Sequence, residues 1–200
     1  MEIIYLDKVD STQQYLINNL KIDRCVWSEN QVKGRGSRGN SWIGEKGNLF
    51  FSFAISKNSL PKDLKLQSIS IYFMYQLKIV LSQLGSKVIF KWPNDLYLKK
   101  KVGGIISNIK DDIIIIGIGL NSKYSKNYQK IDIEIDNKEL LLLYLNEIQK
   151  QISWKTIFEI YEKEFYLNSF RLSNEIDLSK AILKDDGSLE LNNERIYSLR

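Results

Sequence analysis

Two apolar runs, Val102 to Ile109 and Ile113 to Leu120, meet at Asp111 and Asp112. Branched side chains crowd such runs because they pack well on a pleated surface, and paired aspartates favour a reversal. The segment therefore reads as a long β-hairpin, which commits this part of the chain to antiparallel pairing. Shorter strands are expected at Ile3 to Leu6, Arg24 to Gln31, Asn48 to Ser56, Val88 to Phe90 and Leu96 to Leu98. Helical signals interrupt them irregularly. Asp10 with Gln13 has capping-box spacing for a helix to about Leu20. Pro61 and Gly85 bracket a long, mostly buried helix, and Glu139 to Ile152 and Trp154 to Phe165 carry the helical period. This mixture predicts an α+β fold with a mixed or mainly antiparallel sheet, and it fits a doubly wound sheet poorly. After the last helix, short alternating runs around Asp185-Asp-Gly187 and Asn192-Asn193 predict a small β appendage. The expected division is 1–177 and 178–200.

What the chain lacks narrows its chemistry. It has no histidine, which excludes a Ser-His-Asp triad, histidine acid/base catalysis and a histidine metal site. Its one cysteine, Cys25, rules out an internal disulfide and reads as a buried filler. The start, Met-Glu-Ile-Ile-Tyr, is not a signal peptide, and no charge-free apolar run approaches a bilayer span. A cytoplasmic protein is expected. The net charge of +5 suits an anionic ligand or an acidic partner. The lysines are scattered, which argues against nucleic acid.

Four stretches stand out as sites. Gln31-Val-Lys-Gly-Arg-Gly-Ser-Arg-Gly-Asn-Ser-Trp42 sets Gly34, Gly36 and Gly39 among Arg35 and Arg38. Glycine lets backbone approach a ligand, arginine pairs with phosphate or carboxylate, and Trp42 offers a flat face for a ring. The plain alternative is a solvated basic loop. Gly34 to Gly39 matches G-x-G-x-x-G, but two further glycines and no helical period follow, so a dinucleotide fingerprint is rejected. A Walker A loop fails for want of Gly-Lys-Ser/Thr. Lys91-Trp-Pro-Asn-Asp95 gathers a cation, an aromatic and two short polar side chains at a strand end. Asn94 and Asp95 suit a tight turn or, for Asp95, Mg²⁺ beside a phosphate. Lys101-Val-Gly-Gly104 begins a strand whose paired glycines, Gly103 and Gly104, leave room for a ligand. Gly117 and Gly119, on one face of their strand, clear space near Asn121. Ser11 and Thr12 suit helix initiation or a polar ligand equally.

In this order the motifs resemble those of the biotin–protein ligases. The features are Asp10-Ser-Thr12, Gln31 ahead of Gly34-Arg-Gly, Trp42, Lys91-Trp-Pro-Asn-Asp95, Lys101-Val-Gly-Gly-Ile105 and Gly117-Ile-Gly-Leu-Asn121. The resemblance implies a class II aminoacyl-tRNA synthetase-like domain followed by a small β-barrel, here shortened. It implies that biotin and Mg²⁺-ATP give biotinyl-5′-AMP, and that a lysine of a biotin carboxyl carrier protein then takes the biotin. By resemblance, Ser11, Thr12, Gln13, Gln31, Gly34, Arg35, Lys101, Gly103 and Gly104 bind biotin. Arg35, Arg38, Trp42, Lys91, Asn94, Asn121 and Arg200 serve ATP. Lys101, Arg35 and Asp95 carry the catalysis, with Asp95 at the metal.

The sequence departs from the pattern at Ser37, where many members carry a second arginine, and mildly at Gln13, which replaces a common asparagine. With nothing ahead of Met1, a ligase without DNA binding is expected, as a monomer or homodimer. Two other readings compete. A lipoate or octanoate ligase shares the fold but needs an apolar tunnel for its acid. A non-catalytic nucleotide-binding module predicts binding without turnover.

Overall fold

The computed structural model describes residues 1–42, 44–168 and 178–197, without the Arg38 side chain. Among these residues, twelve strands and four α-helices follow in chain order. They are β1 (Glu2–Tyr5), α1 (Thr12–Asn18), β2 (Arg24–Ser28), β3 (Gly34–Arg35), β4 (Ser41–Trp42), β5 (Leu49–Ser56), α2 (Ile69–Gln83) and β6 (Ile89–Lys91). Then come β7 (Asp95–Tyr97), β8 (Lys101–Lys110), β9 (Ile113–Leu120), α3 (Asn137–Gln149), α4 (Trp154–Asn168), β10 (Ile182–Leu183), β11 (Leu189–Leu191) and β12 (Glu194–Ile196).

The main sheet has seven strands in the order β1-β2-β5-β9-β8-β7-β6. Only β1 and β2 run parallel; each other neighbouring pair is antiparallel, as the hairpin signals predicted. The expected β8–β9 hairpin turns at Asp111, which takes a positive φ of 54°.

Strand alternation divides the core. Leu49, Phe51 and Phe53 of β5 and Ile114, Ile116, Ile118 and Leu120 of β9 point into one large apolar cluster with α2, α3 and α4. Ala54 and Ile115, on the opposite face, pack with Val26 and with Leu16 of α1. Further along that second face the side chains shrink to Ser52, Gly117 and Gly119. A short helix covers one end of the face, and a cavity lies over the rest. Cys25 is buried in the main cluster, and burial pushes its thiol up to about 12, in keeping with a filler.

Helix boundaries differ from expectation where side chains compete for caps. The N-cap of α1 is Ser11, whose hydroxyl accepts the Gln14 N–H at 3.3 Å. Asp10 instead pairs with Lys33, and Gln13 turns away to Asn108. The helix ends at Asn18 rather than Leu20. Residue 61 does not begin α2, which starts at Ile69. The intervening segment turns so that the Asp63 carboxylate accepts the N–H groups of Trp154 and Lys155, at 3.1 and 2.8 Å, in the first turn of α4. Gly85, at φ 92°, stops α2 as predicted: Ser86 N–H reaches back to Leu81 C=O in a Schellman closure.

The predicted C-terminal strands form a three-stranded antiparallel sheet, β10-β11-β12. Leu183 and Leu189 join the main apolar cluster. Asp186 is buried here and accepts from Ser188 N–H and Oγ, Gln67 and Arg195. Burial acts to raise its pKa, but those donors outweigh burial and hold the carboxyl well below its ordinary 3.8. Because the folded pKa is depressed, this stabilisation is present above pH 3.8 and is lost as pH falls below it. Asp186→Asn is expected to cost about 2–3 kcal/mol at neutral pH. In thermal melts, the gap to the wild type should narrow as the pH drops below that value.

Candidate active site

The cavity over the second sheet face has a volume of about 420 Å³, including its mouth. Its floor follows from strand register. Gly104 of β8 lies opposite Gly119 of β9, and Ile106 lies opposite Gly117. Two facing glycines leave a slot, and the Trp42 indole fills it. A Cβ built on Gly119 would stand 2.7 Å from Trp42 Cε2, and one on Gly104 would stand 3.1 Å from Trp42 Cζ3. Only glycine admits so close a ring.

One end of the cavity is a web of neutral hydrogen-bonding groups. Gln31 Oε1 accepts from Thr12 N–H at 2.9 Å and from Thr12 Oγ1 at 3.2 Å, while Thr12 Oγ1 and Ser52 Oγ lie 2.9 Å apart. Ser11 and Gln13 complete this end. The other end is cationic. Lys101 Nζ stands 2.7 Å from Asp95 Oδ1 and 5.1 Å from the centre of the Trp42 ring. Arg35 lines the wall, exposed and, among the described residues, without an ion pair. Asn94, which donates to Ile105 C=O at 3.1 Å and accepts the Ile105 N–H at 3.0 Å, fixes the turn that carries Asp95.

Two buried polar atoms in the lining have no hydrogen-bond partner: Trp42 Nε1, a donor, and Asp95 Oδ1, an acceptor whose lysine contact is out of line for a hydrogen bond. Buried polar groups are normally satisfied. Both are suited to complete themselves on a ligand.

The cavity thus brings together Ser11, Thr12, Gln13, Gln31, Arg35, Trp42, Asn94, Asp95, Lys101 and Gly104. It does not bring in four other expected residues. Gly34 packs under Trp42 and Gln31, where a Cβ would meet Gln31 Nε2 at 2.5 Å. Gly103 faces Leu120 and Met74 in the core. Lys91 Nζ lies 4.7 Å from the centre of the Tyr97 ring. Asn121 is buried and holds its own loop, donating to Gln129 C=O and accepting the Ile131 N–H. Arg200 and the Arg38 side chain lie outside the described residues. Ser52 was not anticipated. Its signal is a single hydroxyl within the otherwise apolar run Leu-Phe-Phe-Ser-Phe-Ala-Ile.

A family model, the biotin/lipoate A/B protein ligase family, matches residues 5–121, more than half of the chain and all of the cavity lining. The chain belongs to the biotin/lipoate A/B protein ligase family. It is similar to the crystal structure of a biotin acetyl coenzyme A carboxylase synthetase from Helicobacter pylori with bound biotinylated ATP. The two are 35% identical with a TM-score of 0.91, over 98% of this chain and 99% of that one. The bifunctional ligase/repressor BirA of Escherichia coli K12 is 29% identical over 185 residues, 81% of this chain but 55% of that protein. The chain thus spans about half the length of that curated relative. A biotin protein ligase from Aquifex aeolicus, in complex with biotin and ATP, shares the fold at 22% identity and a TM-score of 0.68, over 100% of this chain and 96% of that one. Among the described residues, no helix of this family member is long and apolar enough to cross a membrane.

Proposed function

We propose that the protein activates biotin with ATP and transfers it to a lysine of a biotin carboxyl carrier protein or domain. One observation carries this reading. A single cavity joins a hydrogen-bonding end, built from Thr12, Gln31 and Ser52, to a cationic end, built from Arg35 and Lys101, across a glycine floor. A cyclic urea presents both N–H donors and a C=O acceptor, and the neutral web matches both. The acid's carboxylate then extends toward Lys101.

A carboxylate and a triphosphate repel each other, so the approach requires positive charge from the protein. Arg35 and Lys101 supply it, with Lys101 between the carboxylate and the α-phosphate. A carboxylate oxygen attacks the α-phosphorus, the bond to the bridging oxygen breaks, and pyrophosphate leaves. In the second step the carrier amine attacks the acyl carbon and AMP leaves with the bonding pair. Asp95 is the cavity's carboxylate and can accept the amine's proton. Trp42, lying over Gly119, offers its face to the adenine.

Mg²⁺ fits this donor set. Among the described residues no cluster of three metal-binding side chains exists, yet Asp95 Oδ1 faces the cavity with no hydrogen bond, held by the Lys101 ammonium alone at 2.7 Å. Mg²⁺ commonly takes one or two carboxylates and completes its shell with phosphates and water. Held by Asp95, it would neutralise phosphate charge. On the same reading residues 1–177 bind both substrates, 178–200 support them, and the enzyme works in the cytoplasm where ATP is available.

The deciding experiment is acid-dependent exchange between pyrophosphate and ATP, with biotin and lipoate in parallel. Exchange with biotin alone is expected. Exchange with lipoate alone would overturn the substrate, and exchange with neither would favour a nucleotide-binding module. Ser37 lines the cavity where a second guanidinium is common in the family. Ser37→Arg is therefore expected to retain biotinyl-5′-AMP several-fold longer than the wild type, since charge-assisted hydrogen bonds are roughly twice as strong as neutral ones. Equal release rates, measured by trapping free adenylate, would remove Ser37 from the account.

A further inference from the structure

The small C-terminal sheet packs Leu183 and Leu189 into the main apolar cluster, and one of its turns is hydrogen-bonded to the main body. Three consecutive backbone carbonyls of that turn each accept a hydrogen bond from a different part of the main body. Asp185 C=O accepts from Trp154 Nε1 at 2.7 Å, Asp186 C=O from Ser68 Oγ at 2.5 Å, and Gly187 C=O from Trp92 Nε1 at 2.8 Å. The turn is itself stiff. The Asp186 carboxylate gathers Ser188 and Arg195 beneath it, and Gly187 holds φ at 74°. A Cβ at Gly187 would meet Ile71 Cδ1 at 2.6 Å, so a side chain there must shift that methyl or the turn, and the positive φ strains any residue but glycine.

Trp92 does not line the cavity, but it belongs to the segment that ends in Asp95. Its ring is buried, with only 5% exposed, and its hydrogen bond runs to a residue 95 positions away in the sequence. Past Pro93, Asn94 is clamped on both sides by Ile105, and Asp95 pairs with Lys101. Displacement at Trp92 is therefore passed to the Asp95–Lys101 pair. It has no direct route to Thr12, Gln31 or Ser52 at the far end of the cavity.

We infer that the Asp185–Ser188 turn sets the position of Asp95 and Lys101 through Trp92, making Trp92 and Gly187 positioning residues for adenylate formation. The inference rests on the proposed reaction. Its signature is a divided one. A misplacement near 1 Å costs up to about a hundredfold in rate when reacting groups must be aligned. Trp92→Phe keeps an aromatic side chain but removes the donor and the second ring of the indole, so kcat for biotin-dependent pyrophosphate exchange is expected to fall on the order of tenfold. The dissociation constant for biotin, measured without ATP, should stay within about twofold, since the neutral web is untouched.

Tyr144→Phe is the control. It removes another buried hydrogen bond, from Tyr144 Oη to Phe73 C=O at 3.2 Å, in the packing of α3 on α2. Gly187→Ala provides the second test, because it strains the turn at a φ of 74° while leaving Trp92 intact. Wild-type exchange must first be seen with biotin, which separates failure of the reaction assignment from failure of this inference. A lowered kcat with unchanged biotin affinity in Trp92→Phe and Gly187→Ala, absent in Tyr144→Phe at comparable melting temperature, is the expected result. Unchanged kcat in both folded turn variants would overturn it. So would losses that follow melting temperature alike in all three, or a loss of biotin affinity equal to the loss of kcat. Should Trp92→Phe fail to fold, Gly187→Ala decides.

Discussion

Lys101→Ala is expected to lower biotin-dependent pyrophosphate exchange by on the order of a hundred- to a thousandfold, the usual cost of removing one preorganised group that stabilises developing charge. Two effects combine. The carboxylate and α-phosphate lose the cation between them, and Asp95, 19% exposed, loses the ammonium 2.7 Å away. The variant therefore replaces an attraction for phosphate with a bare negative charge in the same cavity. Lys101→Arg should recover little, because a planar fork cannot occupy the space of an ammonium set between Asp95 and the Trp42 ring. Fluorescence-detected folding should be close to wild type. A folded Lys101→Ala protein with exchange within a few-fold of wild type would contradict the assigned role.

Gly119→Val should also be damaging, for a steric reason. Its Cβ would sit 2.7 Å from Trp42 Cε2 and 2.9 Å from Nε1. The floor cannot yield, since Gly119 pairs with Gly104 on one side and Phe50 on the other in the centre of the sheet. Trp42, at the edge of the two-residue strand β4, yields instead. The apparent affinity for ATP is expected to fall by at least about tenfold, with stacking on an aromatic ring worth about 1–3 kcal/mol. Biotin affinity should change much less, because Gln31, Thr12 and Ser52 meet further along the face. Isothermal titration with each substrate separately makes the comparison. Equal losses for both would show that the sheet, rather than the tryptophan slot, had been disturbed.

The sheet was largely legible in the sequence because its central strands are continuous runs of branched and aromatic residues of strand length, bounded by turn residues. The β8–β9 hairpin is the clearest case, with its aspartate turn and unbroken isoleucines. The helix boundaries were less so. Nothing near Asp63 announces that its carboxylate will cap a helix whose first residue is Trp154. Local pattern therefore assigns Pro61 to a helix that begins eight residues later at Ile69. In the site, glycine, arginine and lysine motifs were visible because their spacing has few other uses. Their division of labour was not. Gly103 and Gly104 are adjacent and chemically identical, yet strand alternation turns one toward Leu120 and Met74 and the other toward Trp42 and Asp95. Ser52 needed the register of β5 against α1 before its hydroxyl acquired a partner.

The long-range cap on α4 has a temporal side. A chain made from its N-terminus presents Asp63 to solvent until Trp154 and Lys155 exist to meet it, 91 and 92 residues later. The hydrogen bond from Trp92 to Gly187 waits longer still, for a turn 95 residues later. Contacts so distant along the chain close late, after the loop-closure entropy between them has been overcome. The hairpin and the polar web can therefore assemble on a growing chain well before the cationic end is aligned. On the proposed reading, the groups that hold the acid can meet before residue 187, which aligns Asp95 and Lys101 through Trp92, has been made.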